Sequence, residues 1–310
     1  MKRQRGVALL MALLLVAIVG GLAMTLTRNN AFDLRRTMSV IWHDEGTQAA
    51  YGAESWVAML LRDDAQDTPN DHLGELWAQE LPVLPIESES VQGVLSGELV
   101  DLQGRFNVNN LVAANGEVDP LAVEQFRRLL IALELDPRFA GLAADWLDPD
   151  QDAGFPDGAE DPIYTSLSPP YRAANHVIAT PSELMALEGM TTEFFNVLAP
   201  NISALPGRTP VNVNTAPAAV LLSLDENMSP AEVESLIAER AEGGIPDIEN
   251  RFRAIVAEDV LPTLVGTSSF FQLKVVVQIA TVRVTYYSVL YRDTGGAGEV
   301  VPILRSFGTI

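Results

Sequence analysis

The spacing of apolar positions changes along the chain, and each change predicts a different element. Val7 to Leu26 is a run of twenty residues without a charge. As a helix it spans roughly 30 Å at about 1.5 Å per residue, the thickness of a bilayer's hydrocarbon core. Beyond it, Leu34, Met38, Ile41, Ala49, Gly52, Trp56 and Leu60 recur at spacings of three, four or their multiples, on roughly one stripe interrupted by Glu45. The pattern predicts one long helix from about Val7 to Leu61, with Gly20-Gly21 as a soft point. Thr68-Pro69-Asn70-Asp71 opens a linker. Val91 to Val108 reads as a hairpin: Val94-Leu95 and Leu99 to Leu102, a Gln103-Gly104 turn, then Phe106 to Val108. Helices are predicted at about 120–135, 138–146, 181–188, 191–198, 215–224 and 229–242, with an Asp-, Gly- and Pro-rich loop over 148–170. The end of the chain turns to strand chemistry in Phe270 to Ile279, Val282 to Tyr291 and Val300 to Phe307, the last break containing Gly295-Gly296.

The layout is a helix, two strands, a large helical block and three strands. A long helix packed on an antiparallel sheet is an α+β architecture, and the helical block inserts into it. Within that block Gly104-Arg105-Phe106-Asn107-Val108-Asn109 is echoed by Gly207-Arg208-Thr209-Pro210-Val211-Asn212-Val213-Asn214, each ahead of a helix that an Asn can cap.

Charge narrows the function. Residues 1–40 hold Lys2, Arg3, Arg5, Arg28, Arg35 and Arg36 against Asp33 alone; of the 20 basic and 41 acidic residues, 14 and 40 remain beyond them, a net of −26. Such a body repels phosphate backbones, which argues against nucleic acid as a partner, and it suits divalent cations. There is no cysteine, so no disulfide staples the fold. His43, His72 and His176 belong to no HExxH motif, and no nucleophile elbow, Ser-x-x-Lys or P-loop is present. Sequence therefore favours a protein that is not an enzyme. Short paired helices near Asn212–Arg240 faintly resemble DNA-binding helical hairpins, but the acidic body opposes that reading.

The acidic loop Asp148-Pro149-Asp150-Gln151-Asp152-Ala153-Gly154-Phe155-Pro156-Asp157-Gly158-Ala159-Glu160-Asp161 offers Asp148, Asp150, Asp152, Glu160 and Asp161 as oxygen ligands for Ca²⁺. Its first three acids have EF-hand spacing, but Gly154 comes one place late and Glu160 sits thirteenth, so it is not an EF-hand. Spacing alone leaves a solvated loop and a calcium site both open. The lack of disulfides favours metal, since a loop this long needs an ordering force.

At the N-terminus three readings compete: a secretory signal, a plain single-pass anchor, and a cleaved leader whose apolar helix stays on the mature chain. Basic residues precede the span, so Met1 is expected in the cytoplasm and the body outside. Met1-Lys2-Arg3-Gln4-Arg5-Gly6 followed by Val7-Ala8-Leu9-Leu10 resembles a type IV prepilin signal. That resemblance implies cutting after Gly6 by a prepilin peptidase and methylation of Val7. Most pilins have Glu at the fifth mature position; here it is Met11. A subunit without that carboxylate suits the start of a filament better than its shaft.

Further strings sharpen the resemblance. Asp145-Trp146-Leu147-Asp148-Pro149-Asp150, Gly158-Ala159-Glu160-Asp161 with Tyr164, Pro170-Tyr171-Arg172-Ala173-Ala174-Asn175, Ser182-Glu183-Leu184, Gly189-Met190 and Asn212-Val213-Asn214-Thr215-Ala216-Pro217 resemble the K-type minor pseudopilins of type II secretion. The resemblance implies a pilin-like fold with a calcium-binding helical insertion. It also implies a tip complex with the I- and J-type minor pseudopilins; the helical stripe of Leu34, Met38, Ile41, Ala49, Gly52 and Trp56, read from spacing, is the surface expected to hold it, the alternative being that Ile41 and Trp56 pack only against the protein's own sheet. Further partners implied are the H-type minor and the major pseudopilins and the inner-membrane secretion platform. On this reading the chain divides into a leader (1–6), a transmembrane segment (7–26), a periplasmic helix (27–61), a first sheet part (62–110), the insertion (111–265) and the terminal strands (266–310). The residues alone also fit a single-pass, calcium-stabilised periplasmic protein, or a type IV pilus minor pilin, outside that system.

Overall fold

The computed structural model describes residues 5–79, 82–87, 92–241, 243–294 and 298–309. Met1–Gln4 of the leader, Val91 and Gly295-Gly296 lie outside them. A single helix, α1 (Arg5–Asp67), runs about 1.7 turns past the expected end at Leu61. Its first half is exposed on every side. From Gly46 onward one face is buried, with Ala50, Val57 and Leu61 against the sheet.

The sheet has the order β1 (Leu84–Glu87), β2 (Gln92–Asp101), β7 (Phe270–Ile279), β8 (Val282–Arg292) and β9 (Val300–Phe307), antiparallel throughout. Period-two alternation sets its two faces. Phe271, Leu273, Val275, Val277 and Ile279 of β7 point into the core under α1, while Phe270 and Val289 on the other face meet Leu102 and Leu205. Glu54 is a buried carboxylate on the inner face of α1, accepting from Ser288, Tyr286 and Arg305 and so tying α1 to β8 and β9. All its donors come from the sheet, which is how a buried charge is tolerated.

Between β2 and β7 lies the insertion: β3 (Phe106–Asn107), α2 (Pro120–Ala132), α3 (Phe139–Leu147), α4 (Asp161–Tyr164), α5 (Thr192–Leu198), β4 (Ile202–Ser203), β5 (Val211–Asn212), α6 (Ala218–Ser223), α7 (Pro230–Arg240), α8 (Ile248–Phe252) and β6 (Leu264–Val265). It has its own core, separate from that under α1 and centred on Phe126, Leu129, Leu130, Leu147, Val220, Leu221 and Phe252.

The hairpin expected over 91–108 does not form. β2 pairs with β1 on one side and β7 on the other, whereas Phe106–Asn107 pairs in parallel with β4. The reason is burial: Phe106 and Val108 belong to the insertion's core. Gly104 is needed there for close approach, since a Cβ would stand 2.5 Å from Thr215 Oγ1. The insertion thus starts near residue 104, earlier than the expected 111, and the first sheet part ends at Asp101.

The Asn echo has a structural counterpart. Asn107 and Asn212 each accept from the backbone N–H two residues on, at 3.1 and 3.0 Å. Asn109 and Asn214 each clamp a distant backbone group by both its N–H and its C=O, at Ile178 and Ile245 respectively. Each run sits on a two-residue parallel pairing, β3 with β4 and β5 with β6. The segment is a pair of similar units, with the Asn side chains fixing loops where a short strand ends.

Candidate metal centre

Helix α3 brings in the acidic loop. Asp145 lies in its last turn and Asp148 closes its C-terminus, while Glu160 stands at the N-terminal cap of α4. Trp146 packs edge-on against Tyr164 with ring centroids 5.0 Å apart, and Tyr171 lies 5.5 Å from Tyr164, so aromatic surface lies beside the acids. Asp145 accepts from Gly154 N at 2.9 Å and pins the loop back on the helix. A Cβ on Gly158 would overlap the Asp145 carboxylate and the Gly154 backbone, so this turn requires glycine. Gly158→Ala is expected to cost about 1–3 kcal/mol through this overlap, measured by thermal unfolding. An unchanged melting temperature would show that the turn is not built this way.

Of the five expected ligands, the fold gathers three. Asp148, Asp150 and Glu160 each place an oxygen within 4.8 Å of the others. Asp152 is exposed and outside this group. Asp161 faces away, accepting from Ala173 N and pairing with Arg172. Asn175, which spacing did not flag, turns its side chain into the same loop and donates to the Asp150 carbonyl.

The electrostatics are those of an uncompensated anion cluster. Asp148 is 4% and Glu160 2% exposed, yet Asp148 Oδ1 and both Glu160 carboxylate oxygens lack a hydrogen-bond partner, as does Asn175 Oδ1. Burial, then the neighbouring charges of Asp150, Asp145 and Glu160, push Asp148 up to about 7. Burial and Asp145 likewise raise Glu160. Among the described residues, no cationic side chain pairs with Asp148, Asp150 or Glu160, the nearby arginines Arg127 and Arg172 being engaged with Asp157 and Asp161. Asn175 and the Asp161 backbone offset the rise at Glu160, and the Asp150 backbone that at Asp148, only in part. Buried oxygens short of donors, converging on one point, fit a hard divalent cation, which takes oxygen ligands in a flexible cage.

A second acidic group, Asp64, Asp71 and Glu75, has the opposite character. Fully buried Arg292 pairs with both aspartates, and Glu75 accepts from Thr68, His72 N and Trp77 Nε1. Protein donors already satisfy it, so it is a structural junction.

The expected partner stripe is mostly on the surface. Leu34, Ile41, Gly52 and Trp56 are exposed, Met38 is half-buried, and Ala49 is half-buried against the core under the sheet. Val7 and Met11 lie on the exposed first turns of α1, and Gly6 lies within that helix.

Known proteins match this architecture. Family models described as type II secretion system (T2SS), protein K, match residues 104–207 and 211–260, both within the insertion. Type II secretion system protein K of Pseudomonas aeruginosa is 36% identical over 251 residues, 78% of this chain and 74% of that protein. The chain belongs to the type II secretion system protein K family. The Aeromonas hydrophila member is 29% identical over 99% of this chain and 98% of its own. A crystal structure of the GspK-GspI-GspJ complex from enterotoxigenic Escherichia coli contains a chain that matches with a TM-score of 0.77 and 25% identity, covering 89% of this chain and all of that one. As a protein K, the chain is a minor pseudopilin of type II secretion with a pilin-like α+β fold, which sets aside an anchored protein outside that system. Among the described residues one helix, within Val7–Asp67, is long and apolar enough to cross a membrane, in keeping with an anchored periplasmic protein.

Proposed function

We propose that this protein K sits at the pseudopilus tip, bound to the I- and J-type minor pseudopilins, where it starts or caps the filament that exports folded proteins. The observation that carries this is the apolar face of α1 left uncovered, on a chain whose E. coli relative was crystallised as a complex with GspI and GspJ. Ile41 is 45% and Trp56 43% exposed although α1 packs on the sheet directly behind them. Beside Trp56, a groove of about 280 Å³ runs between α1 and the sheet, lined by Gly52, Ala53, Leu84 and Leu95. A helix of another pseudopilin, apolar on one face, fits such a surface.

Three further parts complete the reading. Cutting after Gly6 by the prepilin peptidase leaves a methylated Val7, and the helix anchors in the inner membrane with the body in the periplasm. Met11 brings no carboxylate to pair with the terminal ammonium of a neighbour, which suits a subunit with nothing above it; the H-type and major pseudopilins follow below, drawn from the inner-membrane platform. The Asp148, Asp150 and Glu160 cluster, with Asn175, holds a calcium ion that neutralises the acidic loop. On this reading the protein is an assembly subunit, not an enzyme.

Ile41→Ser and Trp56→Ser are each expected to weaken the complex with the I- and J-type subunits by more than tenfold, as loss of a central aromatic or aliphatic anchor costs about 2 kcal/mol or more. Co-purification from detergent reads this out. Antibody labels on sheared pseudopili test the position: labels at one end support the tip, and labels repeated along the shaft overturn it. Mass spectrometry of the mature N-terminus checks the leader, an intact Met1 being the adverse result.

A further inference from the structure

A cleft of about 180 Å³ opens where the insertion rests on the sheet face opposite α1. Its walls come from both bodies: Leu102 and Arg105 on the entering segment, Thr180 and Ser182 of the insertion, Ser203 on β4, and Val289 with Leu304 from the sheet. Arg105 is the notable group. The other buried or half-buried arginines of the insertion and sheet have acceptors: Arg128 donates to the Ser223 carbonyl, Arg240 to those of Val213 and Ala216, Arg251 pairs with Glu232 and Glu239, and Arg292 with Asp64 and Asp71. Among the described residues Arg105 is half-buried with no side-chain hydrogen bond and no ion pair.

The carboxylates near it do not meet that need. Asp101 is fully buried and its oxygens are already engaged, Oδ1 by Gln103 N and Oδ2 by Asn212, Thr215 and Ser268. Glu98 is exposed on β2, opposite Lys274, and acts on Arg105 only through space. A guanidinium carries five donors in a fixed fork, and those of Arg105 open to water in the cleft with no protein acceptor among the described residues. Thr180 and Ser182 hydroxyls, 2.7 Å apart, line the same cleft.

We propose that this cleft binds a single carboxylate on a short apolar stem, with Arg105 taking the charge and Leu102, Val289 and Leu304 covering the stem. One cation facing apolar walls matches one negative charge, and a net charge of −21 disfavours a dianion. A cavity of about 150 Å³ accepts benzene, so this one suits a ligand of about eight heavy atoms. Because its walls belong to both bodies, an occupant clamps the insertion to the sheet. The same chemistry comes from a free branched-chain acid or from the C-terminal residue of a polypeptide, and the two are separated by the choice of probe.

The full chain in detergent is titrated calorimetrically with 4-methylpentanoate, with its neutral amide, and with N-acetyl-Ala-Leu bearing a free or an amidated C-terminus. The expected result is that one or both free acids bind, each about tenfold or more tighter than its amide, as a charge-assisted hydrogen bond demands. Binding of the peptide acid assigns a chain terminus, and binding of 4-methylpentanoate alone assigns a free acid. Arg105→Gln should abolish the preference, and Arg105→Lys should keep part of it. Should Arg105→Gln fold poorly, phenylglyoxal modification of Arg105 in the wild-type chain decides, with protection by the acid expected. Equal binding of acid and amide, no acid binding at millimolar concentration, an undiminished preference in Arg105→Gln, or unprotected Arg105 would each overturn the assignment.

Discussion

Chelating divalent metal should lower the melting temperature of the detergent-solubilised chain, and restoring calcium should raise it again. A ligand that binds only the native state at a hundredfold excess over its Kd adds about 2.7 kcal/mol. For a protein of this size each kcal/mol moves the midpoint by about 2–4 °C, so a shift on the order of 5–10 °C is expected. The sign of a second comparison makes the test specific. Asp148→Asn combined with Glu160→Gln should abolish the response to chelator. It should also make the metal-free variant more stable than the metal-free wild type, because two buried like charges that now repel have been removed. If chelator leaves the melting temperature unchanged and elemental analysis finds no bound metal, the loop is ordered by the protein alone.

The other large effect is expected at Arg292. Its guanidinium is buried beneath the end of α1, donating to the carbonyls of Leu61 and Ser268 and pairing with Asp64 and Asp71. Arg292→Met leaves these carboxylates facing Glu75 with no counter-charge, a loss of about 3–5 kcal/mol measured by denaturant unfolding. The pH profile identifies the cause. Burial, then the charges of Glu75 and Asp71, raise Asp64 from 3.8 to about 7 even with Arg292 present. A folded-state pKa above the unfolded one means that the native state holds the extra proton between those values. Its contribution to stability therefore declines as pH rises from about 4 to 7. Removing Arg292 raises Asp64 further, so the variant should lose stability more steeply with pH and recover partly near pH 5. Asp71→Asn in the Arg292→Met background should restore part of the loss. A pH-independent deficit would mean that lost packing, not stranded charge, is responsible.

Long periodic segments were legible in the chain and short or distant ones were not. The extent of α1 and the runs of β7, β8 and β9 follow from patterns sustained over many residues. β1 carries little strand signal, because it is four residues long and contains Pro85, which cannot donate to a ladder. Two-residue strands such as β3 and β4 carry no period at all, and Gln103-Gly104 looked like a hairpin turn because nothing local reveals that Phe106 and Val108 fill a different core. On α1 the sequence points to the larger apolar residues, yet the sheet takes the face with Gly46 and Ala50 and leaves Ile41 and Trp56 outside. Small residues let helix and sheet approach closely, so bulk is a poor guide to which apolar face turns inward. In the acidic loop Asp148, Asp150 and Glu160 could be named from spacing, but Asn175 comes from a separate segment. Asp145 read as an ordinary helix position. The Arg292 junction joins residues more than two hundred apart in sequence, where no local pattern operates.

The placement of the insertion has a kinetic consequence. β2 ends at Asp101, directly opposite Phe271 of β7, so the whole insertion leaves and re-enters the sheet at one pair of neighbouring residues. In the unfolded chain, pairing β2 with β7 means closing a loop of this length, at an entropic cost on the order of 4 kcal/mol. Once the insertion has folded, β3–β4 and β5–β6 already hold its two ends near each other, and that cost is largely removed before the central strands meet. The order of events in refolding is then set by topology. The helical units, rich in local contacts, are expected to form first, and the sheet to zip from the Asp101–Phe271 end toward Gly93 and Ile279. Whatever speeds the closing of the insertion also sets how soon the pilin-like sheet can exist.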